Sequence, residues 1–202
     1  QRARTDPGAR RLLIGIAIAF VPAALIGFVF RKQIKAVLFG PFPVALAMVI
    51  GGIIMLVAER WFKTHAATVR EIENVSLKQA AAIGIAQIGA LFPGMSRSMT
   101  TIVGGMIAGL DRPTALRFSF YLSIPTLVIA SVYELASSLK DIPGGQIPAF
   151  AVGLGVSFAV ALVVIRFFLR YVARHDLVPF AWYRIVVGLV LLALVVPLPG
   201  IR

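Results

Sequence analysis

The sequence predicts an all-α membrane protein, a polytopic helix bundle, and three observations support that class. Of its 202 residues, 59% are hydrophobic and only 14% are charged, whereas soluble domains carry about 25% charged residues. Five apolar runs each approach the length of about 20 residues with which a helix crosses a ~30 Å hydrocarbon core. No long polar linker divides the chain, so residues 1–202 are expected to form a single transmembrane domain.

The five predicted spans follow one another with short polar connections. They cover residues 12–30, 41–58, 115–135, 147–169 and 180–196. Their ends carry aromatic side chains that are typical of the membrane–water interface, namely Trp61, Tyr171, Trp182 and Tyr183. The mixed-charge stretch 59–76 is interpreted as a surface helix or loop, and residues 140–146 as a tight turn.

An interrupted apolar segment, residues 79–110, lies between the second and third spans. Two apolar stretches that are too short to span flank the turn PGMSRS. Pro93 ends the first half-helix, Gly94 permits a positive φ, and Ser98 is the candidate cap of the second half-helix. The segment is either one broken span or a hairpin that enters the membrane and returns.

The positions of the basic residues favour the hairpin. If the segment crosses, the two faces of the membrane carry ten and nine of the 20 lysines and arginines. If residues 78–110 re-enter, one face carries fourteen basic residues, including Arg184, and the other face carries five, including Arg31. Arg97 is counted on neither face. Cytoplasmic loops are normally the basic ones. The sequence therefore predicts a re-entrant helix-loop-helix and a cytoplasmic start.

Arg97 is the only charged residue of the interrupted segment. An arginine at the bilayer centre costs about 2.5–3.5 kcal/mol on insertion scales, so we expect an anionic ligand beside it. The following half-helix would present its free N–H groups there, and arginine binds phosphate oxygens with two donors. Ser96, Ser98 and Thr101 add hydroxyl groups. The alternative is an arginine satisfied by helix carbonyls or a carboxylate, with serines that only cap.

Other polar residues leave alternatives open. Gln87 hydrogen-bonds either a ligand or a neighbouring helix. Glu134, at the outer end of a span, is expected to reach the interface rather than act in catalysis. Ser119, Tyr121 and Ser123 line a cavity or make helix contacts.

No metal site is predicted in this chain, because no metal-like cluster surrounds His65 or His175. Asp111 and Arg112 are expected to cap and anchor the returning helix. The net charge of +12 is interpreted as topology and headgroup contact rather than nucleic-acid binding.

The turn supplies positive charge and hydroxyls, but no carboxylate or histidine lies convincingly at its depth. Broken-helix folds often come as inverted repeats whose two interrupted elements meet at the midplane. One such element is present, so the chain is expected to be the carboxy-terminal half of an inverted-repeat architecture. The missing base would then belong to an amino-terminal segment absent from the sequence.

The turn and its surroundings resemble a known family. Residues 93–101, PGMSRSMTT, match the PGxSRSxxT signature of the bacitracin-resistance-type undecaprenyl-diphosphate phosphatases. The preceding IGIAQ, from Ile83 to Gln87, and the later Tyr183-Arg184-Ile185 are also similar. The resemblance covers essentially the whole chain. Met99 stands where glycine is usual, which predicts tighter packing beside the phosphate site.

The resemblance implies a multi-pass enzyme of the bacterial inner (plasma) membrane that hydrolyses undecaprenyl diphosphate to undecaprenyl phosphate and phosphate. That reaction recycles the lipid carrier for cell-wall synthesis. It also implies two re-entrant hairpins and an active site that faces the outer side. Together with the turn, it assigns catalytic roles to Arg97, Ser96 and Ser98, and places Gly94, Thr101 and Gln87 in substrate binding.

The family's other motif, an (E/Q)xxxE element with a nearby serine and histidine, is not in this sequence, so the chain alone is expected to be inactive. A Mg²⁺ or Ca²⁺ cofactor is implied, although no acidic cluster here could hold it. The expected partners are the polyprenyl diphosphate lipid, the bilayer, the absent segment and a second copy in a homodimer. The alternatives are a polyprenyl-phosphate transporter or flippase that uses the same anion-binding loop, or a non-catalytic scaffold.

Overall fold

The structure is a computed structural model that describes residues 7–138, 147–172 and 174–195. This part of the chain consists of eight α-helices with short connections. They are α1 (Pro7–Val29), α2 (Arg31–Leu38), α3 (Pro41–Thr64), α4 (Leu77–Ile88), α5 (Arg97–Ile107), α6 (Arg112–Ser138), α7 (Ile147–Val172) and α8 (Val178–Val195). Helices α1, α3, α6, α7 and α8 are long and apolar enough to cross a membrane. The predicted all-α class with five spans is confirmed.

Two element boundaries differ from the prediction. Helix α2 is not predicted from the sequence, because its RKQIKAVL stretch is short and carries three cations. Helix α3 continues to Thr64, so residues 59–64 of the predicted surface helix or loop belong to the second span. Glu59 in this last part of α3 is buried and paired, as described below. The predicted turn 140–146 lies outside the described residues.

Glycines allow the spans to approach one another closely. A Cβ built on Gly84 of α4 would lie 2.6 Å from the carbonyl oxygen of Ala19 in α1. A Cβ built on Gly52 of α3 would lie 2.8 Å from the carbonyl oxygen of Ala181 in α8. Such contacts are closer than any side chain allows, so the helix pairs α1–α4 and α3–α8 depend on these small residues.

Helices α4 and α5 form a hairpin. The Gln79 side chain at the start of α4 donates a 2.9 Å hydrogen bond to the carbonyl of Ala108 after α5. A Cβ on Gly104 would lie 2.4 Å from the Cβ of Ala86, so the two helices also touch along their lengths. The 12 residues of α4 extend about 18 Å, too short for a ~30 Å core. The chain therefore doubles back, whereas the hairpin's depth in a membrane and the inverted repeat stay predictions.

The base of the hairpin is held by extended backbone. The amide nitrogens of Thr68 and Val69 donate to the carbonyl of Gly109 at 2.8 and 3.1 Å. Asp111 accepts a 2.9 Å hydrogen bond from the amide of Thr114. It therefore caps the start of α6 and not the returning helix α5, which is a correction to the expected role.

Candidate functional site

The loop between α4 and α5 has two residues with positive φ. Gly94 has φ +93° and Ser96 has φ +71°. A Cβ on Gly94 would also lie 2.3 Å from the carbonyl oxygen of Val44, so glycine is required here for two reasons. Ser96 is the N-cap of α5, and its Oγ accepts a hydrogen bond from the amide of Met99. The predicted cap, Ser98, is instead the second helical residue.

The amino-terminal end of α5 carries main-chain N–H donors that are free to bind a ligand. Within the part of the chain that the structure describes, the amide N–H groups of Ser96, Arg97 and Ser98 have no hydrogen-bond acceptor. The first amides of a helix have no intrahelical partner and bear a positive partial charge. Three adjacent donors at one helix end are the arrangement that binds phosphate.

Arg97 is half-buried at the first position of α5. Its Nη1 donates a 3.2 Å hydrogen bond to the carbonyl of Ser119 in α6. Within the described residues this is the only hydrogen bond of a group that has five N–H donors. A carbonyl therefore satisfies a small part of the guanidinium, and the rest is available for an anion.

Arg97 lines a cavity of about 460 Å³ between α1, the hairpin and α6. Apolar side chains form most of its wall, among them Phe20, Ala23, Phe28, Leu91 and Ile129. Arg97 contacts α6 at Ser119, and the cavity lining on α6 runs from Thr126 to Glu134, roughly 12 Å of helix. The site thus combines the Arg97 cation with a mostly apolar wall, and Glu134 lies away from Arg97 along α6.

Gln87 lies in the same cavity wall and is 1% exposed. Neither its Nε2 nor its Oε1 has a hydrogen-bond partner among the described residues. A buried amide without partners costs about 1–3 kcal/mol, and such groups in native structures need a reason. The alternative in which Gln87 joins two helices has no contact to support it, whereas a ligand in the cavity would supply the partners.

Thr101 lies behind Arg97 rather than in the cavity wall. It is fully buried, and its Oγ1 is 2.6 Å from the Oγ of Ser119 and 2.9 Å from the carbonyl of Arg97. Ser119 itself is 2% exposed and therefore makes a helix contact, one of the two alternatives considered for it. Thr101 fixes α5 against α6 at the carbonyl that Arg97 uses.

Arg184 of α8 also reaches the loop, which the sequence does not predict. Its Nη2 donates hydrogen bonds of 2.7 and 2.9 Å to the carbonyls of Gly94 and Met95. From the sequence, Arg184 counts only as one of the basic residues of the cytoplasmic face, and this contact is not foreseen. The available signal is its position inside the predicted span 180–196, where a charge marks a function by default.

A second polar cluster lies at the far end of the cavity. The Nη1 of Arg31 donates a 2.7 Å hydrogen bond to the hydroxyl of Tyr133, and Nη2 lies 3.4 Å from the Glu134 carboxylate. The side chains of Arg31 and Glu134 are 38% and 63% exposed. An exposed pair contributes at most about 1 kcal/mol, so this end is open and weakly held. That exposure agrees with an interfacial Glu134.

The described residues do not fit the divalent cation that the resemblance implies. They contain no group of three histidine or acidic side chains that could hold a metal ion. His65 stacks on Trp61 with ring centroids 4.2 Å apart, and His175 stacks on Tyr171 at 4.4 Å. Both histidines are therefore held at the bundle's surface by aromatic neighbours.

Comparisons with known proteins agree with this arrangement. An undecaprenyl-diphosphatase of Sorangium cellulosum is 50% identical over 193 residues, which cover 94% of this chain and 62% of the relative. Undecaprenyl-diphosphatase 1 of Chromobacterium violaceum is 48% identical, over 92% of this chain and 68% of the relative. Undecaprenyl-diphosphatase 2 of Rhodospirillum rubrum is 47% identical, over 94% and 68%.

The chain thus spans about two thirds of the length of these curated relatives, from 62% to 68%. The family model described as bacitracin resistance protein BacA matches residues 1–190. Because that match covers the chain up to residue 190, including the hairpin and its loop, the chain belongs to the BacA family.

Proposed function

We propose that this chain carries the diphosphate-binding part of an enzyme that hydrolyses undecaprenyl diphosphate to undecaprenyl phosphate and phosphate. Such a reaction recycles the lipid carrier for cell-wall synthesis. The observation that carries the proposal is the pairing of Arg97, with its spare donors, and the unpartnered Gln87 amide in one apolar cavity. The names of the relatives point to the same reaction.

The chemistry follows from where charge develops. Water attacks the terminal phosphorus and gives a proton to an acceptor, the bond from that phosphorus to the bridging oxygen breaks, and undecaprenyl phosphate and inorganic phosphate leave. If an enzyme hydroxyl attacks first, the same bond breaks, and water then hydrolyses the phosphorylated enzyme to release the phosphate. Phosphoryl transfer of this kind is catalysed mainly by positioning and by stabilising charge on the phosphate oxygens. We assign that role to Arg97 and the first amides of α5, and the apolar wall suits the first isoprene units. The described residues place no carboxylate or histidine beside Arg97, so we assign the proton acceptor to a segment outside this chain.

We also propose a topology. Residues 1–202 form one transmembrane domain of the bacterial inner membrane, with the hairpin at about 78–110 re-entering from the cytoplasmic face. With Arg184 removed from the count, thirteen basic residues still lie on that face against five on the other. The Arg31 end of the cavity then opens toward the outer side, where a lipid diphosphate would enter.

The competing function is transport of polyprenyl phosphate, and the names of the relatives give it no support. The test is made on the intact gene product. Phosphatase activity predicts release of inorganic phosphate from C55 diphosphate in detergent, where no sealed compartment exists. Movement of polyprenyl phosphate across sealed vesicles without phosphate release in detergent would contradict the proposal and favour the transporter.

Gln87→Leu tests the cavity as the substrate site. We expect KM for the lipid diphosphate to rise by about 10- to 100-fold, because one hydrogen bond to a charged group contributes about 1.5–3 kcal/mol. The melting temperature should stay unchanged or rise, since an orphaned buried amide has been replaced by an apolar group. Gln33→Leu on the exposed face of α2 is the matched control and should change neither value. An unaltered KM in the Gln87 variant would remove Gln87 from the site.

A further inference from the structure

We propose that Arg184 is a positioning residue that keeps the Ser96 amide available to a phosphate oxygen. The inference rests on the proposed function, since it concerns the same loop. Arg184 comes from α8, some ninety residues after the loop, and its two hydrogen bonds there both end on main-chain carbonyls. It therefore acts on the backbone conformation of the loop.

Peptide geometry shows what the two hydrogen bonds determine. In a trans peptide the N–H points opposite to the preceding C=O. In the Gly94–Met95 peptide both groups are used, because Arg184 binds the carbonyl and the Met95 N–H donates to Phe92 at 3.0 Å. In the next peptide Arg184 binds the Met95 carbonyl at 2.9 Å, which turns the Ser96 N–H to the other side. That N–H has no acceptor in the described part of the chain and begins the row of free amides that continues into α5.

The surrounding helices are shaped to admit the guanidinium. A Cβ on Gly51 of α3 would lie 2.4 Å from the Nη2 of Arg184 and 3.1 Å from the Sδ of Met95. Met99, which stands where the family usually has glycine, would be 3.0 Å from the same Cβ and is buried. Met99 and Met95 therefore lie beside Gly51 together with the Arg184 guanidinium.

No other partner explains the position of Arg184. Its Nε is buried without a hydrogen bond, and among the described residues no carboxylate pairs with it. Arg184 is half-buried, and a cation within a membrane span is costly and marks function. Here its contacts are the two loop carbonyls, whose orientation decides which way the next amide faces.

The test uses the intact gene product with Arg184→Met, Arg184→Lys and Gly51→Ala. We expect kcat for phosphate release from C55 diphosphate to fall about 10- to 100-fold in Arg184→Met, with KM within about threefold, because misplaced donors affect the transition state most. The kcat of Arg184→Lys should lie between that of wild type and that of Arg184→Met. Gly51→Ala should lower kcat in the same direction, since its methyl group meets the Arg184 guanidinium first, at 2.4 Å, and the flexible ends of Met99 and Met95 at 3.0 and 3.1 Å.

Control measurements separate positioning from other roles. Gly153→Ala on α7, where nothing lies within 4 Å of the added methyl group, should leave kcat unchanged. Melting temperatures of the Arg184 and Gly51 variants should stay near wild type. The inference would be overturned by wild-type kcat in Arg184→Met, by kcat losses that simply track melting temperature, or by a large rise in KM alone, which a direct ligand would give.

Binding of methylenediphosphonate, a diphosphate that cannot be hydrolysed, distinguishes this inference from the proposed function. If the wild-type protein binds it by calorimetry but releases no phosphate from C55 diphosphate, the phosphatase proposal fails. In that case hydrogen exchange at the Ser96 amide tests Arg184, since bound methylenediphosphonate should slow the exchange in wild type and Gly153→Ala but much less in Arg184→Met and Gly51→Ala. Equal protection of the Ser96 amide in all four proteins would overturn the inference.

Discussion

Arg97→Ala in the intact gene product is expected to lower kcat for undecaprenyl diphosphate by about 10³-fold. Removing one oxyanion donor costs about 10²–10³ in kcat, and removing an arginine that stabilises a transferring phosphoryl group costs about 10³–10⁵. Among the described residues, Arg97 donates one hydrogen bond, to Ser119, and its other donors are free. Removing its side chain would therefore mainly remove contacts to the substrate. The measurement is release of inorganic phosphate by purified protein in detergent, with substrate above KM.

Arg97→Lys should recover part of that loss, since a lysine keeps the charge but lacks the planar pair of donors that fits phosphate. Arg117→Ala is the matched control, because Arg117 is an exposed arginine on α6. It should retain wild-type kcat. Near-normal turnover in a well-folded Arg97→Ala protein would remove Arg97 from the reaction and, with it, the main support for the proposed site.

The sequence predicted the parts of the fold that depend on residues close together in the chain. Each apolar run is long enough to cross the bilayer by itself, so the five spans follow from length and composition. The hairpin followed from two runs that are too short and from Pro93 and Gly94 between them. The positive φ expected at Gly94 is present. The carbonyl of Val44 also lies too close for any residue with a side chain.

The parts that sequence missed depend on partners distant in the chain. Arg184 and the loop carbonyls are about ninety residues apart, and nothing in either segment alone reveals the contact. Ser96 and Ser98 are equally good cap residues by type, and in the structure it is the Ser96 hydroxyl that accepts the hydrogen bond from the Met99 amide. Thr101 was expected to bind the substrate, whereas in the structure its hydroxyl is hydrogen-bonded to the hydroxyl of Ser119 on α6.

The sequence could name candidate residues for the site, but it could not predict their burial or their hydrogen bonding. The motif identified Arg97 and the turn, because phosphate chemistry needs a cation and free donors at one point. It could not show that the Gln87 amide lies buried without a partner, which depends on how α1, α4 and α6 enclose the cavity. A group left unsatisfied by the fold is visible only once the packing is known.

Glu59→Ala is expected to lower the free energy of unfolding by about 3–5 kcal/mol, because breaking a buried ion pair leaves an uncompensated charge. Glu59, in the last turns of α3, has a side chain that is 2% exposed. Its carboxylate accepts hydrogen bonds from the Arg112 guanidinium, including Nε contacts of 3.0 and 3.1 Å, and from the Leu177 amide at 3.0 Å. One carboxylate therefore joins the ends of α3, α6 and α8.

Thermal unfolding in detergent measures the loss, with Glu73→Ala, an exposed glutamate, as the matched control. The double variant Glu59→Leu with Arg112→Met should recover much of the stability, since an apolar pair in place of a buried ion pair is often neutral or better. A double-mutant cycle then gives the coupling energy, and additive losses would contradict the pairing. Because this ion pair lies at the opposite end of α6 from the cavity mouth, kcat per folded molecule should stay at the wild-type value, whereas the Arg97 variant should lose turnover while still folded.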